Sequence, residues 1–240
     1  MQVWDNQQAT SWFVAILEGE GSFFERPRIQ IPNNDVDIIT ECERFLRSNL
    51  VLFETYSVKA GTKTGYKILI SKHECYCLFK KIIHRIECRH QEFQRILGAS
   101  ETERNLSDDF QWMIGIWEAE GSFFLSQNHR GNLTPRAELD NTNSRILQKL
   151  VVTLKSNQVS WYAKRYFPEE RLPYTKILIN GFHRLHRFLL LTRNQWRCKR
   201  NIQRTELLLK YIQLRLAKGQ KSPYSNQEYE IYNQLKILNR

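Results

Sequence analysis

Two glutamates, Glu20 and Glu120, each close a short apolar stretch and each precede Gly-Ser-Phe-Phe. The stretches read EGEGSFF over 18–24 and EAEGSFF over 118–124, which sets the two acids 120 − 20 = 100 residues apart. Two carboxylates held side by side repel, and a helix C-terminus beneath each adds partial negative charge. Nothing in the stability of a fold calls for such a pair. A hard divalent cation relieves it, and Mg²⁺ is held by one or two carboxylates together with substrate phosphates. A cation so placed activates a water, polarises a phosphate and stabilises a leaving oxygen, so the chemistry suggested is phosphodiester hydrolysis. Glu18 and Glu118 recur as well, two residues earlier on the opposite helical side, and are expected to be solvated or to support the site without ligating metal.

The elements that must position the acids follow from the length of the repeat. From Trp12 to Phe24, eight of 13 positions are identical to the residue 100 further on. PRIQIPNND (27–35) then faces PRAELDNTN (135–143) at an offset of 108, KILIS (67–71) faces KILIN (176–180) at 109, and ECRHQ (87–91) faces RCKRN (197–201) at 110. Offsets that rise in order describe a duplicated unit with a few insertions. The chain divides into a first repeat over 1–100 and a second, with C-terminal helices, over 101–240.

Each copy opens on a helix, Gln8–Glu20 and Asp108–Glu120, apolar nearly all round and so buried on more than one side. Ser107 is the expected N-cap of the second. Ala15 and Gly19 make a strip without bulky side chains on one helix, and Gly115 and Ala119 on the other. If the copies pair about a pseudo-twofold axis these strips meet, and Glu20 and Glu120 come together where the helices end. Gly21 and Gly121 are expected to stop the helices in the left-handed conformation usual there. A strand alternating Arg26, Arg28, Gln30 against Pro27, Ile29, Ile31 comes next. Helices then start behind Asp35 and Asn143, both good caps. A hairpin follows in each copy, over Thr55–Ile70 and Trp161–Ile179, and helical segments at about 74–97 and 182–217 close the copies. The pattern of helix, strands, helix, strands, helix, used twice, is an α+β fold and not alternating βαβ.

The whole chain sets the partner. With 36 Lys+Arg against 25 Asp+Glu the net charge is +11 and the pI near 9.5, which favours a polyanion. The longest apolar runs, such as WFVAIL (12–17), are too short to span a bilayer, so no membrane partner is expected. The N-terminus lacks the basic and apolar regions of a secretory signal, and five cysteines suggest reduced thiols in an intracellular compartment. His73, Cys75, Cys77, His84, Cys88 and His90 crowd together, but the C-x-C spacing is not that of a zinc site. A glycosidase also uses paired carboxylates, yet needs neither this charge nor two acids placed by internal symmetry.

FVAILEGEG (13–21) and MIGIWEAEG (113–121), each continued by Ser-Phe-Phe, resemble the two nine-residue signatures of the LAGLIDADG homing endonucleases in their single-chain form. The resemblance runs from about residue 8 to the end. It implies two pseudo-symmetric αββαββα repeats packed through paired motif helices, a saddle-shaped antiparallel sheet surface, and an intron-homing enzyme that cuts both strands of a long asymmetric DNA site as a monomer. It further implies Mg²⁺ or Mn²⁺ at Glu20 and Glu120, with Gly19 and Ala119 beside them in the metal site. Asn33 and Asn141 match the polar position that orders solvent around the metals. Arg89 and Lys199, with Arg197 or Arg193 in place of Lys199, match the basic residue near the scissile phosphate. An organellar (chloroplast or mitochondrial) or bacterial cytoplasmic setting is implied too. The runner-up is an intron maturase, with RNA as partner, or a DNA-binding remnant without cleavage.

A twisted antiparallel sheet fits the major groove, where base edges carry a unique donor and acceptor code. Arg26, Arg28, Gln30, Lys59 and Lys67 are the DNA-facing candidates of the first repeat, and Arg136, Glu138, Lys164 and Lys176 those of the second. The loop residues Lys63, His129 and Arg130 are expected at phosphates. Four residues separate Ser22 from Pro27, whereas twelve separate Ser122 from Pro135, so the first repeat has a leading hairpin eight residues shorter. Either its half of a DNA site is read less stringently, or the chain has decayed as an endonuclease.

Overall fold

A computed structural model describes residues 6–24, 28–60, 63–97, 105–169 and 172–239. It is α+β, with two four-stranded sheets that are antiparallel throughout. In space the chain forms two compact units: Met1–Glu120 with Ser144–Thr153, and Gly121–Asn143 with Leu154–Arg240. The repeat divides the sequence and the units divide the space, and both motif helices fall in the first unit.

In the first unit, helix α1 (Asn6–Glu20) leads into β1 (Ser22–Phe24) and β2 (Arg28–Asn33). Helix α2 (Val36–Ser48), the hairpin β3 (Glu54–Ala60) and β4 (Lys63–Ile70), then α3 (Lys72–Ile82) and α4 (His90–Leu97) follow. Strand order is β1-β2-β4-β3. Ile29, Ile31, Ile68 and Ile70 line one face of the sheet and are all inaccessible to water. The α2 stripe of Ile38, Ile39, Cys42, Phe45 and Leu46 is buried as the 3.6-residue period requires, with Phe13 stacked 4.2 Å from Phe45. Asp35 caps α2, accepting from the Asp37 amide at 3.0 Å. The segment expected as one helix over 74–97 is two, with a 3₁₀ turn at Ile83–Arg85 and an extended Ile86 between them.

Helix α5 (Phe110–Glu120) belongs to this unit too. Ser107 does not cap it. Asp109 does, its carboxylate accepting from the Trp112 amide at 2.9 Å, while the Ser107 hydroxyl donates to Glu87 at 2.6 Å. Ser144–Thr153 of α6 (Ser144–Ser156) completes the unit, and its fully buried Lys149 lies 2.9 Å from Glu87.

The second unit holds β5 (Gly121–Gln127), β6 (Leu133–Asn141), β7 (Tyr162–Tyr166) and β8 (Tyr174–Asn180), in the order β5-β6-β8-β7. Phe123, Ala137, Leu139, Ile177 and Ile179 form its buried sheet face. Helices α7 (Phe182–Thr192), α8 (Lys199–Lys218) and α9 (Asn226–Leu238) follow, the last beyond the helical region expected at about 182–217. Arg215 is buried between α8 and α9, donating to the Ser222 carbonyl at 2.9 Å and pairing with Glu228 at 3.2 Å. The unequal leading hairpins are plain: β1 pairs three residues with β2, and β5 pairs seven with β6. Among the described residues no helix is long and apolar enough to cross a membrane, and all five cysteines are free thiols.

Candidate active site

Helices α1 and α5 pack backbone to backbone, as their strips of small residues dictate. A methyl group placed on Gly19 would stand 3.1 Å from the Ala119 Cβ, and one on Gly115 would stand 2.7 Å from both the Ala15 Cβ and the Trp12 carbonyl oxygen. Neither Gly21 nor Gly121 uses the left-handed region, contrary to expectation. Gly21 is required for space, since a Cβ there would lie 2.3 Å from the Leu17 carbonyl that accepts from its own amide.

Polar bonds tie the two helices reciprocally. The Trp12 indole donates to Glu118 at 2.6 Å, and the Trp112 indole donates to Glu18 at 2.6 Å. The other Glu18 oxygen accepts from the amides of Glu87, Cys88 and Arg89 at 3.0, 2.7 and 3.2 Å. Glu18 and Glu118 are therefore not solvated; both are buried. Burial pushes the Glu18 carboxyl up, against the opposing pull of Lys149 and the N–H donors. The sequence carried a signal for this arrangement. Trp12 and Trp112 recur within two otherwise apolar helix faces, and a buried indole N–H needs an acceptor. Trp12 and Glu18 are six residues apart on one helix, out of mutual reach, so the acceptor had to lie on the other helix.

Glu20 ends α1 and Glu120 ends α5, both half-buried. Desolvation, and after it the charge of Glu120, push the Glu20 carboxyl from its ordinary 4.5 up to about 8. The pair thus carries less charge at neutral pH than two free carboxylates would. Asn33, at the foot of β2, donates to Glu20 at 3.3 Å, and its side-chain oxygen accepts from the Asp35 amide at 2.7 Å. Asn141 makes the same turn in its own unit, accepting from the Asn143 amide at 2.7 Å. Arg89 is held beside the end of α1: it donates to the Gly21 carbonyl, pairs with Glu92 (2.9 Å from Nε) and lies 4.3 Å over the Phe23 ring. Lys199 opens α8 and is exposed, as is Arg193, while Arg197 is half-buried.

Strand register sorts the proposed DNA-facing residues. Ser22 pairs with Gln30, Gln30 with Leu69, and Pro32 with Lys67, so Arg28, Gln30 and Lys67 share the sheet face opposite the isoleucines. Arg28 is exposed and stands 4.7 Å over Phe24. Lys59 departs from expectation: it pairs with Thr64, two steps from the Tyr66–Ser57 pair, and so has the alternation of buried Ile68 and not that of Lys67. Tyr56, opposite Lys67, occupies the face in its place and is exposed. Counting through the hairpin needs the turn length, which the sequence did not give. Arg26 and the side chain of Lys63 lie outside the described residues.

In the second unit Arg136, Glu138, Lys164 and Lys176 share one face, with Lys164 opposite Lys176. Glu138 is buried between partners, 3.3 Å from Arg136 and 2.7 Å from Lys176, which also reaches Asp140 at 3.3 Å. Lys164 is exposed, its ammonium 5.0 Å over Tyr166. Arg130 and His129 are exposed in the β5–β6 turn, where Asn128 accepts from the Arg130 amide at 2.9 Å and Gly131 takes a φ of 79°.

No protein-family profile and no characterised protein sequence matches the chain. Solved structures do. The LAGLIDADG homing endonuclease I-GzeII in complex with its DNA target superposes with a TM-score of 0.63 at 12% identity, over 94% of this chain and 96% of that one. I-SmaMI, bound to uncleaved DNA in the presence of calcium ions, gives 0.59 at 12% identity over 95% and 97%. The LAGLIDADG meganuclease I-CpaMI, bound to uncleaved DNA, gives 0.62 at 10% identity over 95% and 98%. The fold is that of the LAGLIDADG homing endonucleases.

Proposed function

We propose that the chain is a site-specific endonuclease that cuts both strands of duplex DNA, of the intron-homing type, with Glu20 and Glu120 holding a divalent cation. The observation that carries this reading is the helix pair itself: it holds two half-buried acids close enough for the charge of one to raise the pKa of the other. The donor set fits a hard cation, because both residues offer only carboxylate oxygens and each ends a helix whose dipole adds negative charge. A cation bound there, Mg²⁺ or Mn²⁺, would polarise a phosphodiester and acidify a water. The protein supplies the rest. Gly19 and Ala119 let the helix backbones come together beside the acids, and Asn33 orients the Glu20 carboxylate. Arg89, fixed by Glu92 and the Gly21 carbonyl, places a cation beside the end of α1, where a scissile phosphate would carry charge. Asn141 and Lys199 take the corresponding roles in the second repeat.

In this reading the repeats 1–100 and 101–240 each read half of an asymmetric site, and the enzyme acts as a monomer. Arg28, Gln30 and Lys67 face the bases in one half, with Arg136, Lys164 and Lys176 in the other. Glu138 sets the poses of Arg136 and Lys176 more than it reads cytosine, since both its oxygens are already engaged. The setting is an organelle or a bacterial cytoplasm that carries the intron. A cleavage selection tests the reading. The purified chain is incubated with a randomised duplex library and Mg²⁺, and the cut ends are sequenced. Defined double-strand breaks are expected from the native chain and none from Glu20→Gln or Glu120→Gln. Enrichment by binding without cuts would instead mean a DNA-binding remnant, and no enrichment would move the function to RNA.

A further inference from the structure

A second polar cleft, of about 390 Å³, lies at the far end of α1 from Glu20. Asn6, Gln7, Thr10, Asn49, Lys81, His84 and Arg85 supply its polar lining, and among the described residues no carboxylate borders it. Asn6 and Glu20 are 14 residues apart on one helix, or about 21 Å at 1.5 Å per residue, so the cleft is separate from the paired acids. The Lys81 ammonium donates to the carbonyl of Asn49, another residue of the lining. Arg85 is half-buried and meets no acid among the described residues. A guanidinium and an ammonium lining one recess with amide, hydroxyl and imidazole groups make a donor-rich site, which suits a phosphate; Glu74, whose charge acts on Lys81, is not among the lining residues.

The duplication supplies an internal reference. At the offset of 110 that aligns ECRHQ with RCKRN, Lys80, Lys81, His84 and Arg85 correspond to Leu190, Leu191, Asn194 and Gln195. The second copy builds the same helix and turn with none of these cations, so the fold does not need them. They are a property that one copy alone carries.

We propose that this cleft binds a phosphate monoester of nucleotide size, carried by a free nucleotide or by the 5′ end of a nucleic-acid strand. Its volume falls in the range of small-ligand pockets, and Arg85 and Lys81 grip the phosphate. The site is independent of DNA cleavage. Binding of fluorescent N-methylanthraniloyl-AMP to the full chain is followed by anisotropy at low salt, with competition by AMP, inorganic phosphate, and a tetranucleotide with or without a 5′-phosphate. Saturable binding is expected, weakened at least about tenfold in Lys81→Gln/Arg85→Gln. The single Arg85→Gln, which breaks no hydrogen bond among the described residues, should weaken it in the same direction with an unchanged melting temperature. Stronger competition by the 5′-phosphorylated tetranucleotide than by AMP assigns the strand end, and equal competition assigns the free nucleotide. Absence of binding by the native chain, equal binding by the variants, or equal competition with and without the 5′-phosphate while AMP fails to compete overturns the proposal.

Discussion

The glutamates at the ends of α1 and α5 are the residues on which the functional reading turns, and their protonation has a measurable consequence. Folded Glu20 holds its proton up to about pH 8, whereas the unfolded chain releases it near 4.5. Between those values the folded state binds more protons, so stability falls as pH rises through the window. The metal-free chain should therefore melt at progressively lower temperature from pH 5 to pH 8, an effect on the order of a few kcal/mol. Glu20→Gln should flatten that slope, and thermal melting in EDTA across the window checks both. Trp112 makes a second residue-scale case. Replacing it by phenylalanine leaves a buried oxygen of Glu18 without its donor, which should cost about 1–3 kcal/mol in urea denaturation. The acids themselves were legible in the sequence because they recur at a fixed offset. The burial of Glu18 and Glu118 was signalled only by the recurring Trp12 and Trp112, whose buried indoles need acceptors, and the three amides near residue 88 that also reach Glu18 left no local trace.

At the scale of elements, the pairing of α1 with α5 rests on the small residues that face each other. A methyl at Gly115 meets backbone at 2.7 Å, whereas one at Gly19 meets two side-chain atoms at 3.0 and 3.1 Å. Gly115→Ala should thus destabilise by about 1–3 kcal/mol, and by more than Gly19→Ala, as denaturant midpoints would report. The sequence disclosed these strips, the α2 stripe and the alternation of β2, since each depends on a local period. It did not disclose the break between α3 and α4. The amides of Glu87, Cys88 and Arg89 leave the helical ladder there to bond Glu18, a partner 69 to 71 residues away. Nor did it place Lys59, since strand parity survives a hairpin only if the turn length is known.

For the whole molecule, the proposed function makes the charge of +11 and the unequal hairpins the features that would govern how nucleic acid is engaged. Affinity for duplex DNA should fall steeply with salt, because each neutralised phosphate releases condensed counterions. Removing a single cation proposed to meet a phosphate, Arg130 for example, should lower the slope of log affinity against log salt by about one. In the proposed function, the three-residue pairing of β1 would offer fewer base-reading positions than the seven of β5. Substitutions scanned across the selected DNA site should be tolerated better in the half read by the first repeat, with cleavage rates as the readout.

Strand-resolved cleavage of one selected duplex, with Mg²⁺ and with EDTA, by the native chain and by Glu20→Gln and Glu120→Gln, tests the central claim most directly. The paired acids predict cuts in both strands by the native chain with Mg²⁺, none in EDTA, and loss of double-strand cutting in each variant with binding retained. Cutting of both strands that persists in either variant would contradict the assignment of the helix-end glutamates as the cation site.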